Sequence, residues 1–213
     1  MHRVVSVLRP ALLLAGLAFL TACGAKTDLA GPPEPLGDFR LGYDIVVSKN
    51  AKMIPPSRSA TPEEWEAVLK EALDKRFRRY DGEKLYHFGI NVDGYALAVP
   101  GIPVVLSPKS ILVLSANVWD DAAGKKLNEE PKQVSVLESL SGDTLVGSGL
   151  TQNKDEQMRN LAENAAVRIE RWLVENREDW FAYDPATAPK PVPAASTPET
   201  PAQGDVDMAA EGN

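Results

Sequence analysis

Nucleophilic, metal-binding and proton-transfer chemistry falls largely to cysteine and histidine, and this chain is sparing with both. Its 213 residues hold one cysteine, Cys23, and two histidines, His2 and His87. Cys23 closes the run Leu20-Thr21-Ala22-Cys23, which sets an intrinsically nucleophilic sulfur behind two small residues at the end of an apolar stretch. It has no partner for an intramolecular disulfide, so in an exported chain its thiol calls for another covalent fate. In a chain that loses residues 1–22, His87 stands alone and, with Cys23 otherwise engaged, the usual zinc sets of His and Cys are nearly excluded; no twelve-residue acidic loop offers a calcium site. A Ser-His-Asp triad would have to recruit His87, and the Gly-x-Ser-x-Gly elbow is missing. Gly147-Ser148-Gly149 is too short for that elbow and is no phosphate loop. Asp120-Asp121 and Glu129-Glu130 flank one turn. Two carboxylates about 5–9.5 Å apart can hydrolyse glycosides, but adjacent acids in an exposed polar turn read as solvated charge. We therefore expect no enzyme: no catalytic residue, no metal and no cofactor.

The context of Cys23 supplies its chemistry. Residues 1–10 carry Arg3 and Arg9 and no acid, Ala11 to Leu20 is apolar over ten residues, and small residues lead to Cys23. That order is the layout of an export signal over residues 1–22. A membrane-spanning helix needs about 20 apolar residues, and Pro10 and Arg9 end the run well short of that. Leu20-Thr21-Ala22-Cys23 matches the lipobox, and the segment resembles the leader of bacterial lipoproteins. The resemblance implies diacylglycerol in thioether linkage on Cys23, cleavage before it, and often a third acyl chain on the new amino group. One myristoyl chain binds only reversibly, whereas two or three, at about 0.8 kcal/mol per buried methylene, hold a protein on a membrane. By the same resemblance, Gly24 rather than Asp is compatible with an outer-membrane location and a periplasmic domain.

Removing residues 1–22 takes Arg3 and Arg9 from the 23 basic residues, leaving 21 against 30 acidic, a net of −9. Phosphate-backbone binding needs clustered Lys and Arg, so a nucleic-acid partner is not expected. Residues 23–37 carry Pro32, Pro33 and Pro35 and few apolar side chains, the composition of a tether. Residues 184–213 carry six prolines and no aromatic residue; such a tail cannot bury enough apolar surface to order itself, and either stays solvated or serves as a partner-binding arm. Residues 38–183 remain, the size of a single domain.

Within that domain, Phe39, Leu41, Tyr43, Ile45 and Val47 alternate with mostly polar residues and predict a half-buried strand. Thr61-Pro62-Glu63-Glu64 opens a helix with a capping box and Pro at its first position. Its apolar stripe runs through Trp65, Leu69, Leu73 and Phe77, with Glu66–Lys70 and Glu71–Lys75 paired on the wet side. Arg76, Arg78 and Arg79 suit the helix dipole or, alternatively, an anion site. Strands are expected through Tyr86 to Val92, Ile111 to Trp119, Gln133 to Glu138 and Thr144 to Gly147, and a second capped helix of 23–27 residues follows Asn153. The expected fold is an α+β two-layer sandwich: a mostly antiparallel sheet of four to five strands with two amphipathic helices on one face.

Val118-Trp119-Asp120 running into Gly124-Lys125, and Val146 to Gly149 running into the last helix, resemble features of small Gram-negative envelope lipoproteins of unassigned function. The element order is similar to that of the periplasmic domain of the curli-secretion lipoprotein and the amino-terminal domain of the Tol-system propeller protein. The resemblance implies a fold more than an activity. One further stretch carries function. From Tyr95 to Leu114 the only charge is Lys109, and Pro100, Pro103 and Pro108 break regular structure. Ile102, Val104, Val105 and Leu106 therefore either pack beneath the domain or form a contact loop. The expected role is non-enzymatic: a lipid-anchored envelope lipoprotein, held by acyl chains on Cys23, that assists assembly or maintenance through an envelope protein partner. The alternative is a carrier or sensor of an amphipathic ligand in a cleft lined by Ile102, Val104 and Leu106.

Overall fold

The computed structural model describes residues 33–99, 110–137 and 153–186. Strand β1 (Arg40–Val47) leads through the two-residue β2 (Lys52–Met53) to helix α1 (Pro62–Phe77). Then come β3 (Leu85–Ala96), β4 (Ile111–Asp120), β5 (Lys125–Lys126), β6 (Lys132–Leu137), α2 (Lys154–Glu175) and the single turn α3 (Arg177–Trp180). The strand expected at Thr144 to Gly147 lies outside the described residues.

Both long helices begin where capping chemistry predicts. The Thr61 hydroxyl accepts the Glu64 N–H and the Glu64 carboxylate accepts the Thr61 N–H; Asn153 and Glu156 repeat the exchange on α2. Each box satisfies two of the amide donors that a helix start leaves without partners. Lys154 also donates to Glu64 across the two helix starts, and that bond, with the capping N–H of Thr61, holds the Glu64 carboxyl below its usual range. The last helix is broken rather than continuous. The Asn176 side chain donates to the Trp172 carbonyl at 2.7 Å, which ends α2 before α3 begins.

The sheet runs β1-β3-β4, with β2 beside β1 on β3, and β5 and β6 both on the far side of β4. β3 and β4 form a long antiparallel pair from Tyr86 opposite Asp120 to Ala96 opposite Ile111. β5 and β6 are antiparallel to β4. β1 and β2 are parallel to β3, because α1 intervenes and carries the chain back to the end where β1 started, as parallel neighbours require. The α+β two-layer sandwich thus forms with a mixed sheet. Trp65, Leu69, Leu73 and Phe77 of α1 and Met158, Leu161, Ala165, Ile169 and Leu173 of α2 pack with one face of β3, β4 and β6 in a single core. Phe39 sits among five rings, from Phe181 at 5.1 Å to Phe77 at 6.4 Å between centroids. Leu36, part of the tether by composition, is buried in the same core.

The helix-pairing expectation is corrected. The wet-side cations reach other elements instead of their own: Lys75 bridges to Glu163 on α2 at 3.2 Å and Lys70 lies 4.0 Å from Asp44 on β1, while Glu66 accepts from both the amide and the hydroxyl of Ser48. The arginines at the end of α1 are likewise spent inside the fold. Arg76 pairs with Glu170 of α2 in the core, Arg78 bridges Asp74 and Asp44, and the Arg79 Nε donates to the Arg76 carbonyl. Fold-internal pairing, not an anion site, accounts for the cluster.

Candidate functional site

The strand whose alternation was plainest in the sequence is where the structure departs from it. The expected buried face was Phe39, Leu41, Tyr43, Ile45 and Val47. Phe39 and Leu41 are buried, but Tyr43, Ile45 and Val47 are 71%, 62% and 41% exposed. The pairing explains the inversion: Leu41 stands opposite Tyr86, yet Asp44 stands opposite Phe88, so two residues of β1 face His87 alone. An extra residue in one strand shifts every later side chain to the other face. Asp44 turns inward beneath α1, and the three large apolar side chains turn out.

His87 holds the bulge. Its Nδ1 accepts the Tyr43 N–H at 2.9 Å, so the ring hydrogen is on Nε2, which donates to Asp121 Oδ1 at 2.8 Å. Gly42 is required beside it, since a Cβ there would lie 2.4 Å from His87 Nδ1. With one nitrogen accepting and the other donating, the imidazole has no lone pair left for a substrate proton, and it serves as a latch between β1, β3 and the turn after β4. The neighbouring acids are turn builders as well: Asp120 Oδ1 accepts the Ala123 N–H at 2.9 Å. Among the described residues no group of three His, Cys, Asp or Glu side chains could hold a metal ion, and no helix is long and apolar enough to cross a membrane.

The face of the sheet away from the helices has two zones. Midway along β3 and β4 it is polar: Asp93 accepts from Asn91 at 2.6 Å and from Ser115 at 2.7 Å. Along β1 it is apolar, and Met53 and Ile54 extend the exposed apolar set beyond Val47. Tyr43 lies 5.1 Å from the His87 ring, and His87 stands opposite the exposed Trp119 of β4, giving a row of rings across three strands. Among the described residues β1 has a strand partner on one side only, β3. Its other side is a sheet edge; residues 41–48 contain no Lys or Pro, and the guards it does carry, the bulge and the inward Asp44, lie before Ile45.

Asp44 is the electrostatic cost of the inversion. Its side chain is 1% exposed, with Arg78 at 3.2 Å and Lys70 at 4.0 Å. Burial raises its carboxyl pKa above the ordinary 3.8, Asp74 adds to the rise, and Lys70 and Arg78 oppose it. A carboxyl whose pKa is higher folded than unfolded contributes fully at low pH, and that contribution is lost as pH rises through the folded value. Asp44→Asn cannot ionise, so its stability relative to the wild type should climb as the pH rises above the ordinary carboxylate range. Urea midpoints of both proteins across that rise check it, and a constant difference would refute the assignment.

The residues singled out for lipidation and contact, Leu20, Thr21, Ala22 and Cys23 and Ile102, Val104, Val105 and Leu106, lie outside the described residues. The roots of the apolar loop are described. Leu97, Ala98 and Ser110 are buried; the Ala98 N–H donates to Ser110 Oγ at 3.1 Å, and Gln157 of α2 donates to the Ala98 carbonyl at 3.3 Å. A cleft of about 390 Å³ opens where Pro33 and Leu36 meet Tyr80 and Tyr183, far in sequence from that loop. The β1 face could not be found from the pattern of apolar residues, since the pattern itself pointed them inward. Gly42 followed by a strand residue of the wrong parity, buried Asp44, was the available signal.

No family model and no curated protein matches the chain. Solved structures give distant likenesses. A hypothetical protein of Chlamydia trachomatis is 11% identical, covers 64% of this chain and 99% of its own, and has a TM-score of 0.39. A protein of Xanthomonas campestris described by the family model DUF330 is 13% identical over 69% of this chain and 92% of its own, at 0.37. A minor lipoprotein of Acinetobacter baumannii is 18% identical over 67% of this chain and 97% of its own, at 0.30. At such scores the likeness carries no argument about role.

Proposed function

We propose that the chain is a lipid-anchored envelope lipoprotein, without enzymatic activity, that works through protein contacts in the assembly or maintenance of the envelope. The observation that carries this reading is the outward face of β1. Tyr43, Ile45 and Val47 stand exposed beside a strand edge, and the titratable pair next to them, His87 and Asp121, is spent on holding the backbone. A face with large apolar side chains at a sheet edge that is unpaired among the described residues suits a contact better than a reaction. The anchor is supplied by Leu20-Thr21-Ala22-Cys23, with the acyl chains in the outer membrane and the domain in the periplasm.

Cys23→Ser should move the protein from the membrane fraction to the soluble fraction, because no acyl chain then remains to hold it. The wild-type protein extracted from membranes should weigh more than its polypeptide from residue 23 onward by the mass of its acyl groups. An unmodified mass, or equal membrane association of the serine variant, would remove the anchor from this reading. Photocrosslinking from Tyr43 in intact cells then asks whether a protein covers the β1 face; no adduct from that position would remove the contact.

A further inference from the structure

We infer that the partner of the β1 edge is a second copy of this chain, joined strand to strand in antiparallel register about Ile45. The inference rests on the lipid anchor proposed above. A two-fold contact presents the same strand from both sides, so β1 must be complementary to itself. Centred on Ile45, the pairing sets Tyr43 opposite the second copy's Val47, Ile45 opposite Ile45, and Val47 opposite Tyr43. All six side chains lie on the outward face, as aromatic and β-branched cross-strand pairs that favour association.

The charges fit the same register. Within β1 the register pairs residues 43–47, whose one charge, Asp44, falls opposite Val46, so no like charges meet. Moving the centre to Asp44 would bring two buried carboxylates together. The β1 contact would join two mixed sheets into one, with β6 at either end and both helix layers on the same side.

The chain outside the described residues favours a second copy over a soluble partner. From Cys23 to Arg40 is 17 residues, a reach of about 60 Å at full extension, and the last few are fixed by the burial of Leu36. Every copy therefore carries its β1 edge within a short distance of one shared surface. The five residues of β1 that overlap in this register, 43–47, make a contact that is small beside the roughly 1,200 Å² of a specific soluble interface. Confinement to a membrane supplies the effective concentration that such a contact lacks in solution.

The test uses the full lipidated chain in its membrane, where the only native cysteine, Cys23, is acylated and contributes no thiol. In this register Ile45 meets its own copy at about 4.5–5.5 Å between Cα atoms, within disulfide range. Tyr43 is then four residues from its own copy, about 13 Å away along the strand. Ile45→Cys should give about tenfold more disulfide-linked homodimer under mild oxidation than Tyr43→Cys or the β6 variant Gln133→Cys. Tyr43→Cys and Val47→Cys, co-expressed, should restore the link. All four positions are exposed, so folding is not at risk. Equal dimer from all the variants, no dimer from Ile45→Cys, or its capture of a different protein would each overturn the inference. Fractionation of the same cells reports the anchor separately, so a soluble protein marks failure of the lipoprotein reading instead.

Discussion

Glu170→Ala should destabilise the domain by about 3–5 kcal/mol, the range measured when one partner of a buried ion pair is removed. The Glu170 carboxylate is 4% exposed and pairs with Arg76, whose side chain is 7% exposed. Its other oxygen lies 2.7 Å from the Tyr80 hydroxyl. Burial, and then the bond to Glu170, push the Tyr80 hydroxyl well above the usual tyrosine range, so it remains a donor throughout ordinary conditions. Removing the carboxylate leaves a guanidinium between α1 and α2 without its counter-charge and frees Tyr80, which also lies 2.9 Å from the Glu34 carbonyl. Replacing both charges with apolar groups, Arg76→Met with Glu170→Leu, should cost far less, since no unpaired charge is left behind. Urea midpoints of the two variants decide the point. A single-variant loss below about 1 kcal/mol would mean that water reaches the pair.

Phe39→Ala should cost a similar amount, about 3–5 kcal/mol, while Tyr43→Ala, four residues on, should stay within about 0.5 kcal/mol of wild type. Phe39 is fully buried among Phe77, Tyr80, Tyr86, Phe88 and Phe181, and Tyr43 is 71% exposed. Uninterrupted alternation would bury both, and the two losses would be alike. The contrast therefore tests the bulge opposite His87 and with it the outward face on which the functional reading stands. Chemical denaturation of the two variants measures it directly, and a large loss from Tyr43→Ala would put the apolar face back in the core.

Local chemistry was legible wherever it involved neighbours in sequence. Thr61 with Glu64, and Asn153 with Glu156, form the capping boxes their spacing announces, because the bonding groups are three residues apart. β3, β4 and β6 begin and end within a residue or a few of the alternating runs that predict them. The helix stripes also match, since periodicity alone decides which side of a helix is apolar. Contacts between elements were not legible. Lys75 finds Glu163 rather than Glu71, and Arg76 finds Glu170 rather than solvent or an anion, choices that depend on how α1 crosses α2.

The sequence by itself determines the order of the long strands and helices, both helix starts, the two-layer architecture, and the lone Cys23 behind Leu20-Thr21-Ala22. Only the tertiary structure decides which way β1 faces after Leu41. A strand's side-chain period is two, so one additional residue between Leu41 and Asp44 reverses every later position. Whether that residue is accommodated depends on His87 and Asp121, 44 and 78 residues beyond Tyr43 in the chain and brought to it only by folding.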